Sequence, residues 1–216
     1  MGAMSRLRRL AVSERWFFVT CRVLPRRRIL SESEFATLAQ VIGARRAEHK
    51  FLLTAWVFLP DHWHAIFYAR HPLTISTVME SLQGGATKRI NRSREERGLL
   101  FQPRFFARAL RTVKEYNDRV WYIHLNPVQA GRVTRPEDGP WSSVHDYAGT
   151  LKGAPITPSG LSVDRGSLPA DQHTRIGCHA KRFPQRRRGE KPQRNAKYAY
   201  LCATPLWLLR RVLSNR

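Results

Sequence analysis

Cysteines, acidic side chains and long apolar runs are all scarce in this 216-residue sequence. The three cysteines, Cys21, Cys178 and Cys202, have no paired spacing, which argues against a disulfide framework or a zinc ribbon and favours a reducing compartment. No stretch approaches the ~20 apolar residues of a membrane span. No signal-peptide core is present either, since polar residues interrupt the N-terminal segment at 13–15. We therefore expect a soluble intracellular protein.

The shortage of acidic residues leaves a formal net charge of +22 at pH 7, from 38 Lys and Arg against 16 Asp and Glu. A charge of this size is usually compensated by a polyanion or an acidic membrane surface. The composition changes after Thr150: Gly, Pro and Ser punctuate 152–170, and 181–197 is a basic run that cannot bury enough apolar surface to fold alone. We predict a folded domain at 1–150 and a basic, partly disordered extension at 151–216, in which 201–213 fits a short amphipathic helix.

A predicted β-hairpin carries the most informative residues. The apolar runs 51–58 and 65–68 are rich in aromatic and β-branched residues, and Pro60 with Asp61 suits the tight turn between them. His62 and His64 then lie two apart on one strand, so both imidazoles point to the same face. Imidazole is a common metal ligand, but two ligands do not make a site. A pair of partly buried histidines without a ligand is the alternative.

Hydrophobic periodicity predicts the remaining elements. The runs 16–21 and 104–110 indicate strands, and apolar stripes indicate helices over about 32–48, 75–90 and 113–125. Capping boxes open the first and third helices, and the polar run 91–98 is expected to be a loop. The second helix contains Gly84 and Gly85, which close packing, the approach of a ligand backbone or a plain kink would explain.

The third predicted helix has two stripes. Its buried stripe includes Tyr116, and a stripe about 100° round the axis holds Glu115, Arg119, Tyr122 and Asn126. Pro127 disfavours helical geometry at the preceding residue, so we expect the helix to end or kink at Asn126. The residues alone favour a C-terminal cap at Asn126 and a half-buried packing aromatic at Tyr122.

Three separated motifs, in order, resemble a known family. Leu59–His64 resembles the P-D-H-x-H motif of single-tyrosine HUH transposases. The run 122–131 is similar to the Y-I-x-x-N-P-x-x-A-G signature of their REP-associated branch, and Trp141-Ser142-Ser143 followed by Tyr147 matches that branch as well. Each motif alone would be weak; together they cover about residues 14–149.

The resemblance implies a ferredoxin-like or RRM-like α+β fold, an antiparallel sheet with helices packed on one face. It implies that Tyr122 is the nucleophile and that His62, His64 and Asn126 hold a divalent metal, Mg²⁺ or Mn²⁺. It also implies a bacterial cytoplasmic protein, associated with the nucleoid, that cuts single-stranded DNA next to hairpins through a 5′-phosphotyrosine. Two departures put substrate contacts in doubt: 151–216 has no counterpart, and Ala107 stands where a polar or acidic residue is expected.

These residue types suit that chemistry. Three neutral ligands would leave a cation its full double charge to polarise a phosphate oxygen, although nitrogen ligands would also accept Zn²⁺ or Co²⁺. A phenol with a pKa near ~10 needs help to lose its proton, and Arg119, one turn from Tyr122, is a candidate. An ion pair with Glu115 is the alternative role for Arg119. Tyr116 is the nearest rival nucleophile, but it falls on the buried stripe.

Substrate recognition is expected to use basic and aromatic side chains. The candidate DNA-binding residues are Lys88, Arg89, Arg92, Arg104, Arg108, Arg119, Arg186, Arg187 and Arg188. Phe105 or Trp63 could stack unpaired bases. The partner is then single-stranded or hairpin DNA with no membrane, and the chain is a monomer or a homodimer. One alternative is a noncatalytic nucleic-acid-binding protein with an RRM-like fold. The other is a zinc hydrolase, which would need a carboxylate near the two histidines to activate water. Asp61 is the only acidic residue beside them, and we expect the turn to use it.

Overall fold

The computed structural model describes residues 13–147 and 160–164, in which four strands form one antiparallel sheet in the order β2-β3-β1-β4. The strands are β1 (Arg15–Arg22), β2 (Leu52–Phe58), β3 (His62–Ala69) and β4 (Phe106–Leu110). The helices are α1 (Glu32–His49), α2 (Ile75–Arg94), α3 (Val113–Gln129) and α4 (Val144–Tyr147), with a short 3-10 helix at Pro136–Asp138. The predicted α+β class with an antiparallel sheet is confirmed. Arg186, Arg187, Arg188 and the predicted terminal helix lie outside the described residues.

Helices cover both faces of the sheet, so the expectation that they pack on one face is wrong. Alternate residues of the central strands enter two separate cores: Phe17 packs with the α1 and α2 side, and Phe18 packs with the α3 side. Tyr116, Val120 and Ile123 of α3 belong to the second core. The physical reason is that β1 and β3 carry apolar residues on both faces, and the apolar part of each face has to be covered.

The predicted hairpin is confirmed, and it fixes which way its side chains point. Phe58 of β2 pairs with Trp63 of β3, and the Leu59 N–H donates to the His62 carbonyl across the turn at 2.9 Å. Trp63 is fully buried on the α1 and α2 side. It therefore cannot stack a DNA base, contrary to one sequence-based expectation, and His62 and His64 point to the opposite face, toward α3.

The helix predicted from Glu32 is confirmed, but α2 continues to Arg94 instead of giving way to a loop after residue 90. Arg94 explains the extension because its guanidinium forms two hydrogen bonds to the Glu34 carboxylate at the start of α1, at 2.5 and 2.7 Å. Within α2, a Cβ atom at Gly85 would come 3.1 Å from Val41 Cγ1 of α1, whereas one at Gly84 would meet nothing within 4 Å. Close helix packing therefore accounts for Gly85.

The third helix also extends beyond its predicted end, since α3 runs through Pro127 to Gln129. Pro127 removes one helical hydrogen bond, but it is buried, and Gly139 beside the 3-10 helix packs close to its ring. The Ala130 N–H still donates to the Asn126 carbonyl at 2.9 Å. Tertiary packing thus maintains the helix, and Asn126 lies in its last turns without capping it.

Two later segments pack against β2. The Phe58 N–H donates to the Trp141 carbonyl at 3.0 Å, which extends the sheet edge by a short bridge. Asp164 accepts from the Leu53 N–H at 2.9 Å and pairs with Arg46 of α1 at 2.6 Å. Part of the chain after residue 150 is therefore anchored on the domain. Within the described residues, α1, α2 and α3 are all too short or too polar to cross a membrane.

Candidate active site

The Tyr122 ring of α3 lies directly above the histidine face of β3. Its centroid is 5.2 Å from that of His64, and the His64 and His62 rings are 4.8 Å apart. Phe18 of β1 contacts both Tyr122 and His64, with centroids at 5.7 and 5.4 Å. Tyr122 itself is only partly buried. The structure therefore brings the predicted nucleophile and the two predicted imidazole ligands into one cluster, with the phenol open to solvent on one side.

His64 is held with one ring nitrogen engaged and the other free. It is 2% exposed, and its Nδ1 is 2.8 Å from Thr20 Oγ1. Nε2 is buried and has no partner in the part of the chain that the structure describes, so a tautomer with its N–H at Nδ1, donating to Thr20 Oγ1, leaves no buried N–H unsatisfied. Burial and then the nearby His62 lower the pKa of His64 to about 3. The ring is therefore neutral near pH 7, with an Nε2 lone pair directed into the site.

His62 is oriented in the same manner by the adjacent carboxylate. Its Nδ1 is 2.8 Å from Asp61 Oδ1, so an N–H at Nδ1 donates to the carboxylate and leaves Nε2 available. Burial raises the pKa of Asp61, but the hydrogen bond that it accepts from His62 and the nearby positive charges outweigh this effect and lower the pKa overall. Asp61 therefore does not serve only the turn, as the sequence suggested; it also positions a histidine.

Asn126 completes the predicted ligand set one helical turn after Tyr122. It is 6% exposed, and its carboxamide makes no hydrogen bond to another described residue. Within 13–147 and 160–164, no cluster of three or more His, Cys, Asp or Glu side chains could hold a metal. Two imidazole nitrogens and an amide oxygen are nevertheless donor types that an octahedral divalent ion accepts, with water or phosphate oxygens at its other positions. The buried, unpartnered Nε2 of His64 is the observation that favours a ligand there.

Arg119 supplies positive charge beside the phenol. Its guanidinium carbon is 5.7 Å from the Tyr122 ring centroid and 5.0 Å from that of Phe18. The alternative ion pair with Glu115 is absent among the described residues, since Glu115 pairs with Arg108 at 2.9 Å. Tyr116, the rival nucleophile, is buried, and burial raises its pKa. The geometry thus favours Tyr122 over Tyr116.

Comparison with known proteins identifies the family. The group described as IS200-like transposases matches residues 12–126. The chain belongs to the IS200-like transposase family. It is 31% identical over 151 residues to a REP-associated tyrosine transposase of Escherichia coli (strain K12), a match that covers 66% of this chain and 84% of that relative. A solved structure of a REP-associated tyrosine transposase bound to a REP hairpin matches with 28% identity and a TM-score of 0.60, over 71% of this chain and 90% of that chain.

In this transposase the W-S-S segment fastens α3 to the sheet. The Ser143 hydroxyl oxygen accepts a hydrogen bond from the backbone N–H of Trp56 in β2 at 2.9 Å. It also forms a hydrogen bond with His124 Nε2 of α3 at 2.9 Å. Tyr147 donates to the Thr54 carbonyl of β2 and packs its ring 4.8 Å from that of His124. His124 is two residues from Tyr122. The segment that resembles the branch signature therefore has a structural role, which is to hold the helix that carries the predicted nucleophile.

The predicted DNA-binding residues of this transposase divide by location. Lys88, Arg89 and Arg92 are exposed on α2, on the side of the sheet away from Tyr122. Arg108 lies opposite Phe18 of β1 in the strand register, so its side chain points to the histidine face of the sheet. Arg104 is exposed just before β4. The structure therefore brings only part of the predicted set near the face that carries Tyr122, His62 and His64.

Sequence reasoning missed several residues at this site. Arg22 is exposed at the end of β1 and lies opposite His62 in the strand register. Thr20 lies opposite His64 of β3 on one side and opposite Phe106 of β4 on the other. The signal was present in the alternation along 16–22, since every second residue of a strand shares a face. It could not be used without the register between β1 and its two neighbours.

Proposed function

We propose that this chain is a metal-dependent single-stranded DNA endonuclease and strand transferase that cuts next to hairpin DNA through a covalent bond to Tyr122. The single observation that carries the proposal is the contact between the Tyr122 and His64 rings, with the His64 Nε2 lone pair buried and unpartnered beside the phenol. A relative bound to a REP hairpin supports hairpin DNA as the substrate class. Family membership supports transposition as the outcome.

In the proposed reaction the Tyr122 oxygen attacks the scissile phosphorus. The bond from phosphorus to O3′ breaks, its electron pair leaves with O3′, and this oxygen takes up a proton while the phenol loses one. The ester is conserved in the 5′-phosphotyrosine, so a 3′-hydroxyl can reverse the step without ATP. Arg119 lies close enough to the ring to favour the phenolate and to attract the phosphate.

His62, His64 and Asn126 would hold a divalent cation, Mg²⁺ or Mn²⁺. A cation bound there would offset the charge that develops on the phosphate oxygens. Asp61 and Thr20 keep the two imidazole rings in the orientation that directs Nε2 into the site. The chain's own contribution is therefore to fix the ligands and the phenol on two rigid elements, β3 and α3.

The test is adduct formation on labelled hairpin oligonucleotides from the DNA that flanks this protein's own gene. We expect the wild type to give a denaturation-resistant protein–DNA adduct with Mn²⁺ and none with chelator. Tyr122→Phe should give none in either condition, whereas Tyr116→Phe, the matched control on the same helix, should still react. An adduct with Tyr122→Phe would overturn the proposal. DNA binding by the wild type without any adduct would favour the noncatalytic RRM-like alternative.

A further inference from the structure

An exposed aromatic side chain lies on the catalytic face without a structural explanation. Phe106 begins β4, an edge strand, and is 55% exposed. Large exposed hydrophobic side chains of the described residues are Ile29, Leu99, Phe106 and Val113. Phe106 is the only ring among these four, and the only one of them in a strand of the sheet. Exposure of a phenyl group to water is unfavourable, so a ligand that covers it would be stabilised there.

The register connects Phe106 to the active site. Thr20 of β1 pairs with His64 on one side and with Phe106 on the other, so these three residues form one row across three strands on the same face. The Phe106 ring also contacts Phe18 edge to face, with centroids at 6.2 Å, and Phe18 contacts Tyr122 at 5.7 Å. A flat group stacked on Phe106 would therefore lie beside the proposed catalytic tyrosine, along the surface that α3 leaves open.

The charge around Phe106 indicates what kind of flat group this is. Arg104, two residues before it, and Arg108, two residues after it, are both exposed. Arg108 is exposed and Glu115 is partly exposed in their ion pair, so exchange for a phosphate would cost little. An aromatic ring between two cations is the arrangement that binds a base together with its neighbouring phosphates.

We propose that Phe106 is a stacking site for an unpaired nucleobase of single-stranded DNA next to the bond that is cut, with Arg104 and Arg108 on the flanking phosphates. This inference rests on the proposed function for its location relative to the cut. It also replaces the expectation that Phe105 or Trp63 stacks bases: Trp63 is buried, and Phe105 packs against the opposite core.

The test measures binding of the full chain in chelator, so that no cleavage occurs. Two fluorescent probes are used, a dT12 strand and an abasic strand of the same length. We expect Phe106→Ala to weaken dT12 binding roughly tenfold and to leave binding of the abasic strand unchanged. Phe106→Trp should retain wild-type binding, and Phe106→Leu should bind as weakly as the alanine variant. Leu99→Ala is the matched control, since Leu99 is 58% exposed but lies outside the sheet.

The location is tested by 2-aminopurine scanning of the flanking hairpin substrate. We expect one position beside the cleavage site to be quenched by the wild type and not by Phe106→Ala. Equal dT12 binding by wild type and Phe106→Ala, or an equal loss on both strands, would overturn the stacking site. These readouts do not depend on adduct formation. If the wild type forms the adduct but Phe106→Ala quenches 2-aminopurine as the wild type does, this inference alone is overturned. If quenching depends on Phe106 but no adduct forms, the proposed function alone is overturned.

Discussion

The two faces of the sheet each bury a titratable side chain, and they satisfy its polar atoms differently. On the face covered by α1 and α2, the Arg94 side chain is 1% exposed and forms a bidentate pair with Glu34, together with hydrogen bonds to the carbonyls of Arg28 and Ile29. On the face covered by α3, His64 has a buried nitrogen without a partner, and Arg119 makes no ion pair within the described residues. Arg94 and Glu34 are thus satisfied by each other, whereas His64 Nε2 and the Arg119 guanidinium keep bonding capacity for a ligand.

This difference distinguishes a stabilising network from a binding site. A buried polar atom without a partner costs free energy that a ligand can recover. Such atoms also occur on the other face, at the indole Nε1 of Trp56, Trp63 and Trp141, but those lie in the apolar core, whereas His64 Nε2 belongs to a ring that contacts the partly exposed Tyr122. The α3 face also has the smaller apolar core, built around Phe18, Ile66 and Ile123. We infer that the α1 and α2 face supplies most of the stability, and that the α3 face gives up some stability because His64 Nε2 and Arg119 have no protein partner among the described residues.

The same substitution on the two faces should give the largest contrast. Arg94→Met leaves the Glu34 carboxylate buried without its cation and should lower the free energy of unfolding by about 3–5 kcal/mol. Arg119→Met removes a guanidinium that pairs with no carboxylate, so stability should change by less than about 1 kcal/mol, while adduct formation falls at least roughly tenfold. Urea unfolding and the adduct assay measure the two effects. Similar losses of stability in both variants would contradict the comparison.

The Arg94 pair should also make stability depend on pH in the acid range. Burial alone would raise the pKa of Glu34, but hydrogen bonds from Arg94 and the Ser31 N–H outweigh it and hold the pKa at about 2. Because this pKa lies below that of the unfolded chain, the contribution is fully present above about pH 4.5 and is lost as pH falls toward 2. Urea unfolding at pH 7 and pH 3 should show a larger decrease for the wild type than for Glu34→Gln. An equal decrease would mean that other carboxylates dominate.

On the α3 face, Asp61→Asn should affect metal affinity more than stability. The amide can no longer accept as a carboxylate does, so it stabilises the N–H at His62 Nδ1 less and holds the ring less firmly. We expect Mn²⁺ affinity to fall about 10- to 100-fold with little change in unfolding, measured by titration calorimetry and urea unfolding. Asp118→Asn, also on this side of the sheet but paired with Lys114, is the control. Unchanged Mn²⁺ affinity in Asp61→Asn would argue against His62 as an oriented ligand.

Ser143→Ala tests how firmly α3 is attached to the sheet. Removal of the hydroxyl leaves the buried His124 Nε2 and the backbone N–H of Trp56 without their partner. This should lower the free energy of unfolding by about 1–2 kcal/mol. Adduct formation should fall as well, because Tyr122 is two residues from His124. Ser93→Ala, at an exposed site on α2, should change neither quantity. Loss of stability with full activity would show that the position of α3 does not depend on this contact.

The sequence contains enough information for the hairpin and the order of elements, but not for the arrangement around them. Alternation and the Pro60 turn determine that His62 and His64 share a face, and this needs only local geometry. The side on which α3 packs depends on long-range contacts, because a strand such as β1 that is apolar on both faces is compatible with a helix on either. Likewise, Phe106 and not Phe105 faces the site only because of the register of β4 with β1.

The end of α3 illustrates the same limit. Pro127 carries a strong local signal to end the helix, but burial of its ring beside Gly139 overrides that signal. The role of Arg119 could not be predicted for a related reason. Glu115 lies one turn away on the same helix and could form an ion pair with Arg119, but it pairs with Arg108 of β4 instead. Local rules predict which residues are close along a helix, and tertiary structure decides which of them interact.

The smallest expected effect concerns the packing of α1 against α2, where adjacent glycines provide matched variants. Gly84→Ala places a methyl group in open space, so helix propensity alone should raise the free energy of unfolding by about 1 kcal/mol. Gly85→Ala has the same gain in propensity, but its methyl group would lie 3.1 Å from Val41 Cγ1, so most of that gain should be lost or reversed. Urea unfolding of both variants measures the difference. An equal gain at the two positions would show that α1 and α2 can move apart slightly to make room for the methyl group. The stability of this face would then depend on the Arg94–Glu34 pair and the apolar core more than on close contact between the two helices.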